Sequence, residues 1–218
     1  MISRRVVIIA NGDLEDLNYY RCIIKPDDYI VCVNGGLGYA LALDLKPDLV
    51  IGDLDSLKSD DRNKIEALNP LLIKYPPAKD KSDLELALDK TVEMQPQEII
   101  IVGALGGQRA DHAFVNLLLL YIPLRRDIPA RIVDQRQEIQ LVDNELSIEG
   151  EAGDYLSLFS ITAESSGIVT EGLKFPLQGE SLSFASTLGL SNEFINTRAK
   201  ITIKSGLLLA IKVCVQSS

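Results

Sequence analysis

The 218-residue sequence carries 22 basic and 31 acidic side chains, a formal net charge of -9, with 46% hydrophobic and 24% charged residues. That balance is ordinary for a globular chain long enough for one larger and one smaller domain, and it excludes a disordered one. The charge also argues against binding nucleic acid or an anionic membrane, because both need a basic surface to neutralise phosphates. Cys22, Cys32 and Cys214 are far apart and odd in number, which points to a reducing, cytoplasmic compartment rather than a disulfide framework.

Arg4-Arg5 precedes an apolar run, but Asn11-Gly12-Asp13 ends that run too early for a signal peptide or a membrane span. The run itself, residues 6–10, is rich in β-branched side chains and suits a strand covered on both faces, as in a parallel sheet. Residues 29–33 repeat the pattern and end at Asn34-Gly35-Gly36-Leu37-Gly38, after which 39–43 reads as helical. A third strand, 49–51, stops at Gly52, and 71–75 reads as a fourth, closed by Pro76-Pro77. Ser82 and Glu85 have capping-box spacing, which starts a helix over about 83–93. A further strand at 99–102 ends in Gly103-Ala104-Leu105-Gly106-Gly107, and an apolar helix over 111–121 stops before Pro123.

Strands alternating with helices predict βα units in a mostly parallel sheet, whose ligands bind beyond the carboxyl ends of the strands. Past about Asp134 the texture changes to short alternating segments, among them 138–142, 154–161, 167–170 and 199–215, separated by Gly, Asn and Ser. These predict an antiparallel sandwich, with Lys204-Ser205-Gly206 as a hairpin turn between the last two strands. The expected fold is α/β: an N-terminal, Rossmann-like parallel sheet with flanking helices over 1–130, then a C-terminal antiparallel β-sandwich domain over 131–218. The boundary falls near Ile128 to Arg136.

The chemistry-bearing residues gather at the carboxyl edge of the first domain. Asp53 and Asp55 follow a strand one residue apart and offer hard oxygen ligands, of the kind that hold Mg²⁺ together with waters and substrate phosphates. Asp80 and Asp83 form a second acidic pair. Glycine turns let backbone amides approach phosphate oxygens, helix N-termini add a positive dipole end, and Arg109 can grip a phosphate bidentately. Together they describe a site for a nucleoside polyphosphate with Mg²⁺.

Each part has a plainer reading. Asp-x-Asp-Ser is common loop chemistry, Asp83 favours the dipole of the helix it begins, and Arg109 could be a surface residue. His112, the sole histidine, reads as a structural hydrogen-bonding residue rather than a general base. Gly36-Leu37-Gly38-Tyr39-Ala40-Leu41 nearly matches the dinucleotide fingerprint, but Leu41 stands where the third glycine belongs. A Gly-Lys-Ser/Thr phosphate loop is absent.

The ordered set Gly52-Asp53-Leu54-Asp55-Ser56, Lys79-Asp80-Lys81-Ser82-Asp83 and Gly106-Gly107-Gln108-Arg109-Ala110-Asp111-His112 resembles the thiamine pyrophosphokinase family. Gly172-Leu173-Lys174-Phe175-Pro176-Leu177, Ser191-Asn192-Glu193-Phe194 and Gly206-Leu207-Leu208-Leu209 resemble its bacterial members. The resemblance implies transfer of a diphosphate from ATP to thiamine, with Mg²⁺, by a homodimer whose thiamine pockets lie between subunits. By motif, Asp53, Asp55 and Asp83 would hold Mg²⁺, with Asp80 close by. Asn11, Asp13, Asn34, Gly35, Gly36, Gly107, Arg109 and Asp111 would surround the nucleotide. Ser191 and Asn192 would meet thiamine, with Phe194 as an aromatic wall.

The sequence departs from the family pattern at Asn34, where many members have Asp, at Leu54 for a common Phe, and at Ser82 for a common Thr. Rival readings are a related diphosphokinase acting on a hydroxymethylpterin, a noncatalytic nucleotide-binding sensor, and an NAD-binding oxidoreductase built on the near-match at Gly36. The motifs of the second half argue against the first. The four acids argue against the second, since adjacent negative charges are costly unless a cation offsets them. The third leaves the other acidic loops unexplained.

Overall fold

The computed structural model describes residues 4–52, 67–75, 80–106 and 109–215. The chain divides into two compact units, Met1–Gln135 and Arg136–Ser218.

In the first unit, the β-branched run of β1 (Arg5–Ile9) lies between two similar strands, β2 (Tyr29–Val33) and β5 (Glu98–Val102). With β3 (Leu49–Gly52), β4 (Leu71–Lys74) and β6 (Ala130–Val133), the spatial order is β6-β5-β1-β2-β3-β4, every pair parallel. Val6 to Ile9 and Ile99 to Val102 are wholly buried, which explains why these strands read as continuous rather than alternating apolar runs. On one face Val7, Ile9, Cys32, Val50, Ile100 and Val102 pack with Tyr20 of α1 (Leu17–Ile23) and with Leu37 and Ala40 of α2 (Gly36–Ala42).

The helix α3 (Asp83–Glu93) starts where the sequence predicts, with Ser82 Oγ accepting from the Glu85 amide at 3.2 Å. The apolar helix behaves differently from expectation. It ends at Leu119 as α4 (Ala110–Leu119), and a short turn, α5 (Tyr121–Leu124), carries Pro123 inside it. Proline lacks the N–H that would bond Leu119 and crowds that carbonyl, so it interrupts the long helix yet fits the first turn of a new one. Below the sheet, Arg5 makes a bidentate pair with the buried Asp28 at 2.9 and 2.6 Å and also bonds the Ile23 carbonyl. The basic residue that opens β1 thereby fastens the α1–β2 connection.

The second unit is all antiparallel strand. One sheet has the order β12 (Asn192–Glu193), β9 (Tyr155–Ser160), β14 (Leu208–Val213), β7 (Gln137–Val142); the other runs β11 (Gln178–Ser183), β10 (Glu164–Glu171), β13 (Arg198–Thr202), β8 (Glu145–Glu149). Ile148, Leu158, Ile168, Leu182, Ile201 and Leu208 fill the core they share. A parallel α/β unit followed by a β-sandwich is the architecture the sequence predicts.

The turn at Lys204-Ser205-Gly206 is a correction. β13 pairs with β8 and β10, while β14 pairs with β7 and β9, so these residues carry the chain from one sheet to the other and close no hairpin. Ser205 bridges to Ser166 instead. Gly206, at φ 97°, lies against the Ser165 backbone, where a Cβ would clash, and the next amide, Leu207, bonds Ser165 Oγ at 3.1 Å.

Candidate functional site

The strand order reverses direction at β1: β2, β3 and β4 add on one side, β5 and β6 on the other. Chain segments leaving β1 and β5 therefore diverge and open a crevice at their carboxyl ends, the usual ligand position in open α/β sheets. A cleft of about 530 Å³ occupies that place, with Ala10, Asn11 and Gly12 after β1 and Gly103, Ala104 and Gly106 after β5 among its walls. Close backbone bonds hold the two turns together, Ala10 N to Val102 O at 2.9 Å and Gly12 N to Gly103 O at 2.7 Å. Such proximity requires glycine: a Cβ on Gly12 would overlap the Gly103 and Leu105 carbonyls.

Asn34, leaving β2, adopts φ 47°, a left-handed conformation that asparagine tolerates better than most residues. Its amide bonds the Ile51 carbonyl at 3.0 Å, and its side-chain Nδ2 donates to Asp83 Oδ2 at 2.6 Å. Because a carboxylate only accepts, the amide nitrogen has to be the atom facing Asp83. Asp83 is the first residue of α3, so its charge also complements the helix dipole. On the far wall Arg109 stands at the N-cap of α4 and makes a bidentate pair with Asp111 at 2.9 and 2.6 Å. Hydrogen bonds from Arg109 hold the Asp111 carboxyl well below the usual carboxylate range. Asn116 anchors the helix by donating to the Ala104 carbonyl at 2.7 Å.

Of the residues that the sequence singles out, Asn11, Asn34, Asp83 and Arg109 meet at this cleft. Gly35 and Gly36 lie behind it as spacing residues, packed on the Asn11 side chain and the Ile9 carbonyl. Asp13 is exposed beside Gly106, Asp111 faces Arg109, and Asp80 is exposed outside the lining. Asp53, Asp55 and Gly107 lie outside the described residues. Among the described residues no three His, Cys, Asp or Glu side chains gather closely enough to hold a metal by themselves. Lys81, His112 and Asn116 also line the cleft. His112 was legible only as a structural residue, and its place follows from lying three positions after Arg109 on one helix face.

The second unit has its own concavity, a groove of about 510 Å³ walled by Leu156, Leu158, Phe175, Leu188 and Leu190, with Lys174 and Asn192 at its polar end. Asn192 belongs to it but is occupied locally, accepting from the Phe175 amide at 3.1 Å and donating to the Phe175 carbonyl at 2.7 Å. Ser191, exposed at φ 54°, gives its amide to Ser157 Oγ at 3.0 Å and stands outside the lining. Phe194 does not form a wall. It is 1% exposed in the sandwich core, with Gly150 against its ring. The ring open to the groove is Phe175, 65% exposed, whose place beside Pro176 in a turn was the available signal.

The family model described as "Thiamin pyrophosphokinase, catalytic domain" matches residues 20–132, and "Thiamin pyrophosphokinase, vitamin B1 binding domain" matches residues 141–208. The thiamine pyrophosphokinase of Bacillus subtilis is 32% identical over 96% of this chain and 98% of its own length. A crystal structure of the enzyme from that organism superposes with a TM-score of 0.87 at 30% identity, covering 98% of this chain and 100% of the other. The one from Geobacillus thermodenitrificans gives 0.84 at 30% identity, over 98% and 99%. The first match takes in most of the unit that builds the cleft and the second most of the unit that builds the groove, and the likeness runs nearly end to end: the chain belongs to the thiamine pyrophosphokinase family.

Proposed function

We propose that this chain transfers the terminal diphosphate of ATP to the hydroxyethyl oxygen of thiamine, giving thiamine diphosphate and AMP. The observation that carries this reading is the cleft itself: paired glycine turns, an arginine and an aspartate at the switch point of a parallel sheet, in a member of this family. The hydroxyl oxygen would form a bond to the β-phosphorus while the bond from that phosphorus to the α,β-bridging oxygen breaks. AMP leaves with the bridging oxygen and its electron pair, and the hydroxyl proton passes to a carboxylate or to water. Such a transfer relies on positioning and charge stabilisation more than on covalent chemistry. Asn11 and the Gly12 and Gly106 turns would hold the nucleotide, and Arg109 would bear on phosphoryl oxygens, exchanging one Asp111 contact for a phosphate one.

The donor set suits Mg²⁺. Asp83 offers a hard carboxylate oxygen at one cleft wall, and Mg²⁺ is commonly held by one or two carboxylates with substrate phosphates supplying the rest. Asp83, with Asp53 and Asp55, would hold it, and Asp80 is a further carboxylate nearby in sequence. Bound there, it would neutralise charge on the phosphates.

Thiamine recognition belongs to the second unit, with Ser191, Asn192 and the groove beside them, in a homodimer with thiamine pockets at the subunit interface. Free cysteines support a cytoplasmic location. No described helix is long and apolar enough to cross a membrane. The test is a single incubation of purified protein with ATP, Mg²⁺ and thiamine, separated by chromatography. AMP and thiamine diphosphate in equal amounts support the reading; unchanged thiamine sinks it.

A further inference from the structure

Asn34 links three strand and helix ends at once. Its backbone is fixed on β3 through the Ile51 carbonyl and on α2 by accepting from the Leu37 amide at 3.2 Å. Its carboxamide oxygen occupies the space that a side chain on Gly52 would fill, since a Cβ there would overlap Asn34 Oδ1. Its carboxamide nitrogen reaches Asp83, 49 residues away in sequence, at the short distance expected of a hydrogen bond to an ionised acceptor. The side chain is thus a brace between the end of β3 and the start of α3. An aspartate at position 34 would keep the shape but place acceptor against acceptor.

We propose that Asn34 is a positioning residue, one whose carboxamide holds the Asp83 carboxylate in place at the cleft wall instead of contacting the nucleotide. This rests on the diphosphate-transfer reading for its kinetic consequence, not for the contact itself. Two consequences separate it from a nucleotide-binding role. Loss of the carboxamide should act on turnover and not on ATP affinity, and it should act only while Asp83 is present to be held. Partners that orient a ligating group typically matter by about 10- to 100-fold in activity.

The experiment compares wild type, Asn34→Gly, Asp83→Asn and the double variant. Glycine at 34 keeps the left-handed backbone and removes the carboxamide. In the wild-type background, Asn34→Gly should lower kcat by about 10- to 100-fold with the KM for ATP within about threefold. In the Asp83→Asn background the same change should cost almost nothing, as coupled residues show in a double-mutant cycle. Urea unfolding of the same four proteins, free of ligand and metal, should be non-additive by about tenfold in the unfolding constant. A raised KM for ATP with kcat intact, or equal kcat losses in both backgrounds, would overturn the assignment, and so would additive unfolding. Should the wild type leave thiamine unchanged, the transfer reading fails, while the unfolding cycle still decides whether Asn34 holds Asp83.

Discussion

The cleft of the first unit and the groove of the second are nearly equal in size, about 530 and about 510 Å³, yet their walls are made of different material. Main-chain turns and short polar side chains form the cleft, whose shape depends on glycines at contacts where any Cβ would collide. Apolar side chains form the groove, several of them largely exposed: Phe175, Leu188 and Leu190. A wall of amides and fixed dipoles suits an anion and tolerates little substitution. A wall of Leu and Phe suits a ring with an apolar face, and its members can be exchanged as long as area is kept.

The sharpest way to break this contrast is to mutate inside the second unit where the ring is core and not wall. Phe194→Ala should destabilise the protein by about 3–5 kcal/mol, seen in urea unfolding, with the KM for thiamine unchanged in whatever fraction stays folded. A selective rise in that KM would return Phe194 to the groove. Next in size, Asp83→Asn in the cleft should lower kcat by about a hundredfold or more, the scale of losing one aligned charge-stabilising group. Melting temperature should fall by only a few degrees, since the Asn34 contact is lost while Ser82 still caps α3; normal turnover at saturating Mg²⁺ would remove Asp83 from the metal site.

Phe175→Ala should raise the KM for thiamine by about tenfold, the scale of one lost aromatic stacking partner, leaving the KM for ATP unchanged; equal shifts in both would take Phe175 out of the thiamine pocket. The smallest effect is expected at Asp111→Asn. Its pair with Arg109 is exposed on both sides, so stability should change only within a small limit. Because Asp111 titrates below the ordinary range, any contribution is present above the ordinary carboxylate pKa and is lost as pH falls through the depressed value. Stability curves of variant and wild type should therefore run parallel from pH 5 to 9, at a constant offset within that small limit, and converge only in acid.

The same contrast governs what could be read from sequence. The cleft was legible because its geometry restricts residue types: Gly12 must let Gly103 approach, and Ser82 with Glu85 spells a helix start. The groove was legible as a place but not as a surface. Phe175 and Phe194 are both aromatic residues in loop-like motifs, and it is tertiary packing, with Gly150 against its ring and the sandwich core around it, that sends Phe194 inward. Connectivity failed where a local signal has two uses. Lys204-Ser205-Gly206 has turn chemistry, but its glycine is needed for the close approach of Ser165, and the flanking strands join different sheets. The short α1 carried no periodic signal; Asp16, accepting from the Asn18 amide at 2.9 Å, begins it.

The reversal of strand order at β1 also bears on how the molecule is made. Strands β2, β3 and β4 can join in succession as they emerge, but the cleft needs β5, whose Glu98 pairs with Arg5 at the very start of the chain. That pairing closes a long loop, the slow kind of event in folding. We expect nucleotide binding to be among the last properties gained on refolding, after most strand signal has returned, and a nascent chain that ends before β5 to have no affinity for ATP. Stopped-flow refolding with a fluorescent nucleotide would show that lag as a separate phase.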